Sequence, residues 1–357
     1  KQKPFNKNFS FWLFLLHPQI IVMKVHMHSA VIQDSKTDKD SIVLSYSDAN
    51  KNIEVRISPY FGSNIYQFTY NGHEIFYCDY DLLKTRDWTG CFILWPLPNR
   101  VRDKKFEFEG QIYSLETIQR KGGNYPLIHG LVDDQEWQIG EMKEYEMLVQ
   151  ASTYIDVVPG TQIYEYFPFE SRLTLTFTLD QNGLRVDYRV VNRSNKNLPF
   201  GFALHPYFPL PLGTDNTKVF LPARSVMESD EELLPTGNLI DVQTVECNLN
   251  MPVSISDLSL DHVFTDIDRT KSPYIDYLNQ KMRVHFESSE DFTHMVVYTK
   301  EKSSICLENQ TGSIDMINLH NRAMKEKDDT LLKASHLLIL SPQQEHKGFV
   351  FYRIEEC

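Results

Sequence analysis

The chain has 357 residues, enough to bury a sizeable core, and its 41% hydrophobic and 24% charged residues are an ordinary balance for a soluble globular fold. The formal net charge is −12, and no basic stripe of the kind that grips a phosphate backbone runs through it, which excludes a nucleic-acid binder. The same acidity repels polyanionic substrates at long range and leaves neutral small molecules as the class that fits.

At the amino terminus, an apolar run from Phe11 to Leu16 follows Lys1, Lys3 and Lys7. His17, Pro18 and Gln19 break it, no small-residue cleavage site follows, and it is far short of the roughly 20 residues a membrane helix needs. Met23 opens the stretch Met-Lys-Val-His-Met-His. Residues 1–28 are therefore expected to be a non-core extension, residues 1–22 upstream of the native start, and residues 29–357 one domain with no membrane span. His26 and His28 read as ordinary polar residues rather than metal ligands. The five cysteines, Cys78, Cys91, Cys247, Cys306 and Cys357, are odd in number and lack metal-ligand spacing. They read as free thiols in a reducing compartment, the cytoplasm.

The dominant period is two. Ile53, Val55 and Ile57 alternate with polar residues. Phe106 and Phe108 alternate, turn at Glu109-Gly110, and resume at Ile112. Leu173, Leu175, Phe177 and Leu179 alternate with threonines, Asp180-Gln-Asn-Gly183 supplies a turn, and alternation resumes at Leu184, Val186, Tyr188 and Val190. This predicts a β-hairpin. A short helix is expected around Ser229–Leu234, a strand at Met282, Val284 and Phe286, and a buried strand at Leu337–Leu340 closing the fold. No long stretch has helical periodicity. The expected architecture is all-β: one large antiparallel β-sandwich with a few short helices.

Five segments carry chemistry. In Pro199–Phe208, extended backbone points Phe200, Phe202 and Leu204 to one face and Gly201, Ala203 and His205 to the other. Small neighbours leave room for a ligand beside the imidazole, although an isolated strand histidine is ordinarily satisfied by a core hydrogen bond. In Ser304–Gln310, Cys306 and Glu308 share a face, and a carboxylate there must lie at a strand end, at a polar site or beside a partner. The other three are Tyr125–Leu131 with His129, Leu97–Val101 with Asn99 and Arg100, and Leu260–Phe264 with Asp261. Alone, a loop His, Arg or Asp of this kind is ordinarily a polar side chain facing water.

Together and in this order, from about Ser41 to Ile354, these segments resemble the aldose 1-epimerase (galactose mutarotase) family. His-Pro-Tyr-Phe at 205–208 is the most specific element. Leu307-Glu-Asn-Gln310 is similar to the family's carboxylate strand, Asn99-Arg100 to its Asn-Arg pair, His129-Gly130 to its His-Gly turn, and Asp261 to its Leu-Asp segment. The resemblance implies a galactose mutarotase-like supersandwich that interconverts the α and β anomers of a free aldohexose. It assigns His205 as general acid toward the ring oxygen and Glu308 as general base toward the anomeric hydroxyl. Arg100 and His129 would line the ring-oxygen side, Asp261 would accept from sugar hydroxyls, and Asn99 and Tyr207 would be pocket neighbours. Leu204, Pro209 and Leu131-Val132 depart from the family pattern and mark a divergent branch.

Ring opening moves one proton off the anomeric hydroxyl and one onto the ring oxygen, so no metal, nucleotide or redox cofactor is needed. The expected partner is a small sugar, with the chain a monomer or homodimer. Activity is expected to fall in acid as Glu308 protonates and in base as His205 deprotonates. Three alternatives stay open. Arg102, Lys104 and Lys105 could bind a phosphate, giving a hexose-6-phosphate 1-epimerase. Aromatic residues at 12% also suit a non-catalytic sugar-binding module. Asp261 and Glu308 could be the carboxylate pair of a glycoside hydrolase.

Overall fold

The structure is a computed structural model that describes residues 25–118, 128–245 and 248–357. Most of the expected amino-terminal extension, the segment Tyr125–Leu127 and Cys247 lie outside the described residues.

Alternation builds two antiparallel sheets. Ser171–Asp180 alternates buried and half-buried residues along its whole length and pairs with Gly183–Asn192, from Ser171 opposite Asn192 to Asp180 opposite Gly183. The turn forms where Asp180-Gln-Asn-Gly183 places it, the Asn182 N–H donating to Asp180 Oδ1 at 2.7 Å. Gly183 has φ +142°, and a Cβ there would sit 2.1 Å from the Tyr352 carbonyl oxygen, so the position admits only glycine. The expected strands also form as Asn52–Ser58, Lys105–Phe108 with Gln111–Ser114, Met282–Ser288 and Ser304–Gln310.

The larger sheet runs, in spatial order, through His26–Asp34, Lys39–Ser47, Asn52–Ser58, Asn64–Tyr70, Cys91–Leu94, Ala203–Pro209, Ser304–Gln310, His294–Tyr298, Asp261–Ile267, Ala223–Ser229 and Pro235–Asp241. The smaller sheet centres on Met282–Ser288, Glu345–Glu356, Gly183–Asn192 and Ser171–Asp180. Ile93, Leu204 and Leu307 of the larger sheet share one apolar core with Leu173, Val186 and Val350 of the smaller. Burial of that common face by both sheets makes the sandwich.

The helices are α1 (Tyr80–Lys84), α2 (Gln162–Tyr166), α3 (Met316–Glu326) and α4 (Asp329–Ser335). Leu319 and Ala323 of α3 and Leu331 and Ala334 of α4 pack with Val263 and Val296, so the pair covers part of the larger sheet's outer face.

Several expectations need correction. Ser229–Leu234 is a turn rather than a helix, because Asp230 Oδ1 accepts from the backbone N–H groups of Glu232 and Leu234, both at 3.0 Å, the local bonding that favours turns. Leu338–Leu340 pairs with Leu198–Phe200 in a separate two-stranded sheet. Glu345–Glu356 closes the sandwich instead, bonded to both Gly183–Asn192 and Met282–Ser288. The first strand begins at His26, so His26, Met27 and His28 are sheet residues opposite Ser47, Tyr46 and Ser45, inside the stretch assigned to the extension. The single strand expected through residues 200–205 is broken: Gly201 and Phe202 separate two strands.

Candidate active site

The histidine strand, Ala203–Pro209, lies between Cys91–Leu94 and the glutamate strand, Ser304–Gln310. Its register with the glutamate strand runs from Ala203 opposite Gln310 to Tyr207 opposite Cys306, which puts His205 across from Glu308. On the other side His205 faces Phe92, and Glu308 faces Val296. The outer face of the sheet therefore carries three rows: Leu94–Ala203–Gln310–His294, then Phe92–His205–Glu308–Val296, then Tyr207–Cys306–Tyr298–Asp261. Odd-numbered neighbours in the glutamate strand, Ile305 and Leu307, point into the sandwich core. The period of two thus holds the apolar side chains inside and both reactive groups outside on one face.

His205 Nε2 and Glu308 Oε1 are 3.1 Å apart, with side chains only 6% and 3% exposed. Among the described residues, His205 Nδ1 and Glu308 Oε2 have no hydrogen-bond partner. Burial pulls the His205 imidazole down to about 3. It pushes the Glu308 carboxyl well above the usual range, with the Asp261 charge adding and Arg100 opposing. Both groups are driven toward their uncharged forms by the same cause, loss of water around a charge. The imidazolium–carboxylate pair and the imidazole–carboxylic acid pair hold the same number of protons, so burial decides where the shared proton rests.

The other sequence candidates surround this pair. The His129 ring stands edge-on to His205, centroids 5.0 Å apart, and the Tyr207 ring stacks on the imidazole at 5.1 Å. Two adjacent left-handed residues aim the His129 loop, His129 at φ +74° and Gly130 at φ +91°. A Cβ on Gly130 would lie 2.4 Å from the Trp95 carbonyl oxygen. Asn99 ties the loops together: its carbonyl accepts from the His129 N–H at 2.9 Å, and its Oδ1 accepts from Arg100 Nη1 at 3.0 Å. Arg100 has no carboxylate within ion-pair distance among the described residues, while Asp261 lies 3.6 Å from Lys300 Nζ.

Sequence reasoning missed Phe92 and Trp88. Phe92 stacks on the imidazole of His205 at 4.4 Å, and Trp88 stands edge-on to His129 at 5.0 Å. Phe92 sits in a four-residue apolar strand whose pattern carries no chemical signal; only the pairing with His205 reveals it. The room expected beside the imidazole is also not where the small residues suggested. A Cβ on Gly201 would meet Met316 Cε at 2.4 Å, so that space belongs to α3. Ala203 is buried with Phe92 and Leu94. Among the described residues, no group of three or more His, Cys, Asp or Glu is placed to hold a metal, and no helix is long and apolar enough to cross a membrane.

A buried histidine and glutamate in contact on an aromatic-lined sheet face mark the candidate site of this β-sandwich. The family model for aldose 1-epimerase matches residues 15–334, and the chain belongs to that family. It is 26% identical over 245 residues to the uncharacterised protein YihR of Escherichia coli K12, covering 68% of this chain and 74% of that one. It is 33% identical over 167 residues to the galactose mutarotase of Pongo abelii, spanning 46% of each chain. Among solved structures it resembles a galactose mutarotase-like protein from Clostridium acetobutylicum with a TM-score of 0.76, at 21% identity over 94% of this chain and 99% of the other. Galactose 1-epimerase from Lactobacillus acidophilus gives 0.70, at 17% identity over 94% and 99%. These structural likenesses establish the shared fold.

Proposed function

We propose that the protein is an aldose 1-epimerase acting on a free aldohexose, with His205 and Glu308 as the acid–base pair. The observation that carries this reading is the 3.1 Å contact of His205 Nε2 with Glu308 Oε1 on one buried row of the outer sheet face. Family membership supplies the reaction class.

The chemistry follows from the pair. A sugar that enters between them brings hydroxyls that solvate both groups and support the imidazolium–carboxylate form. Glu308 takes the proton of the anomeric hydroxyl as His205 gives one to the ring oxygen. The ring opens to an aldehyde, and both protein groups become neutral. Burial favours that neutral state, so desolvation assists the ring-opening step. After rotation about one carbon–carbon bond, the reverse transfers close the ring on the other face. Arg100, with no carboxylate in ion-pair range among the described residues, donates its remaining N–H groups to sugar oxygens, and Asp261 accepts from hydroxyls at the part-exposed edge.

The phosphate-preferring alternative is disfavoured. Arg102 is engaged by Asp230 at 2.6 Å and lies 4.0 Å from Glu232, and Lys105 lies 3.9 Å from Asp103. The test is exchange NMR of α and β anomers over a panel of hexoses and their 6-phosphates. Accelerated exchange of a free hexose, lost in Glu308→Gln, is expected. Acceleration confined to the phosphates, or none with any sugar, would overturn the proposal.

A further inference from the structure

Two buried polar side chains beside the acid–base pair are not used by the chemistry above. Among the described residues, Gln310 is fully buried with neither amide atom hydrogen-bonded, and His294 is 1% exposed with Nε2 unpartnered. They face each other across neighbouring strands. Gln310 also lies two residues beyond Glu308 on the same sheet face. Glu308 contributes the third unpartnered group, Oε2. Leaving a buried polar group unsatisfied is costly, so three on adjoining rows of one face call for a common explanation.

The neighbours of His294 fix its tautomer. Thr293 Oγ1 donates to the Thr311 carbonyl at 3.0 Å, so its oxygen accepts from His294 Nδ1 at 2.8 Å. The Ala334 carbonyl also faces the ring as a weak backbone partner that raises the imidazole slightly, outside hydrogen-bond geometry at Nε2. Burial, reinforced by nearby His336, lowers the imidazole to about 3. A neutral ring with its proton on Nδ1 presents a lone pair at Nε2. The amide of Gln310 stands opposite and has the donor to meet it. With its nitrogen turned toward His294, its oxygen is left toward the row of Glu308.

We propose that Gln310 is a positioning residue for the acid–base pair: its amide, oriented by His294, restrains Oε2 of Glu308 directly or through one water, so that Oε1 stays aimed at His205. The inference rests on the assignment of Glu308 above. The charged and titratable groups that face Glu308 are His205 and Tyr207 on the histidine strand, Cys306 on its own strand, Tyr298 beside it, Asp261 with Lys300 beyond, and Arg100 and His129 from the loops. Gln310 adds direction without charge to that set.

The test uses Gln310→Met, which keeps length and removes hydrogen bonding, and Gln310→Glu, which as a neutral acid restores both a donor and an acceptor. Infrared difference spectroscopy follows the protonated carboxyl stretch of Glu308, assigned by its loss in Glu308→Gln. This readout does not depend on turnover. In Gln310→Met the band is expected to shift and its titration midpoint to move, with kcat down about tenfold, the equivalent of one lost hydrogen bond, and KM within about twofold. Gln310→Glu is expected to recover most of the loss. An unmoved band and midpoint in whichever variant folds, or a defect only in melting temperature, would overturn the proposal. If no sugar is turned over yet the band moves, the positioning role survives and the functional reading fails.

Discussion

The 3.1 Å contact of His205 with Glu308 leads us to expect that they titrate as a pair rather than as isolated groups. Sequence reasoning led us to expect a fall in acid from Glu308 and a fall in base from His205. The contact reverses the burden: with one shared proton, the acid limb is a second protonation of the pair and the basic limb is loss of the shared proton. Burial holds His205 uncharged down to about 3 and raises Glu308, so the acid limb moves down to about 3 and the basic limb passes to Glu308. kcat/KM is expected to hold through the ordinary carboxylate range and to fall in acid only toward about 3, checked by exchange NMR after subtraction of spontaneous mutarotation. His205→Asn and Glu308→Gln should each lower kcat by about 100- to 10,000-fold with circular dichroism unchanged. At this scale the motifs His-Pro-Tyr-Phe and Leu-Glu-Asn-Gln were legible because both reactive groups sit on alternating strands. Phe92 and Trp88 were not, because an aromatic ring becomes a site residue only through what it stacks on.

The elements that deliver these groups are set by a few backbone positions. Gly130→Ala would force a left-handed residue and a Cβ 2.4 Å from the Trp95 carbonyl oxygen. It should cost about 2 kcal/mol and displace His129, seen as a lowered Tm together with a raised KM. Asp315, the residue before α3, is buried, and burial pushes its carboxyl up to about 6 despite hydrogen bonds from the Arg102 N–H and Asn318. A raised folded value means its contribution is fully present below the unfolded value of about 4 and is lost as pH rises through about 6. Thermal melts from pH 4 to 8 should show this loss, on the order of 2 kcal/mol, and Asp315→Asn should abolish that part of the pH dependence. The α3–α4 pair escaped sequence reading because α3 has only 11 residues and four buried positions, Met316, Ile317, Leu319 and Ala323. So short a stripe is hard to tell from a loop until Val263 and Val296 are beneath it.

For the whole molecule, carboxylates held in hydrogen-bonded pairs dominate acid stability. At Asp34 burial alone would raise the carboxyl, and Tyr66 and Arg56 outweigh it; at Asp291 burial is likewise outweighed, by His346, Ser289 and Tyr188; Arg172 lowers Asp156. Depressed folded values give stability that is present above about 4 and lost as pH falls through them. Tm should therefore drop steeply below about pH 4, and Asp291→Asn should flatten that drop.

The sequence by itself determined the all-β class, the hairpin at residues 171–192, and that Cys306 and Glu308 share a face opposite Ile305 and Leu307, because a period of two assigns side chains to faces without knowledge of partners. Tertiary structure decided that the histidine and glutamate strands are neighbours and that their register sets His205 across from Glu308. Pairing between strands a hundred residues apart is chosen by the packing of the whole core, and a slip of one strand by one residue would have turned its group to the other side of the sheet, away from its partner.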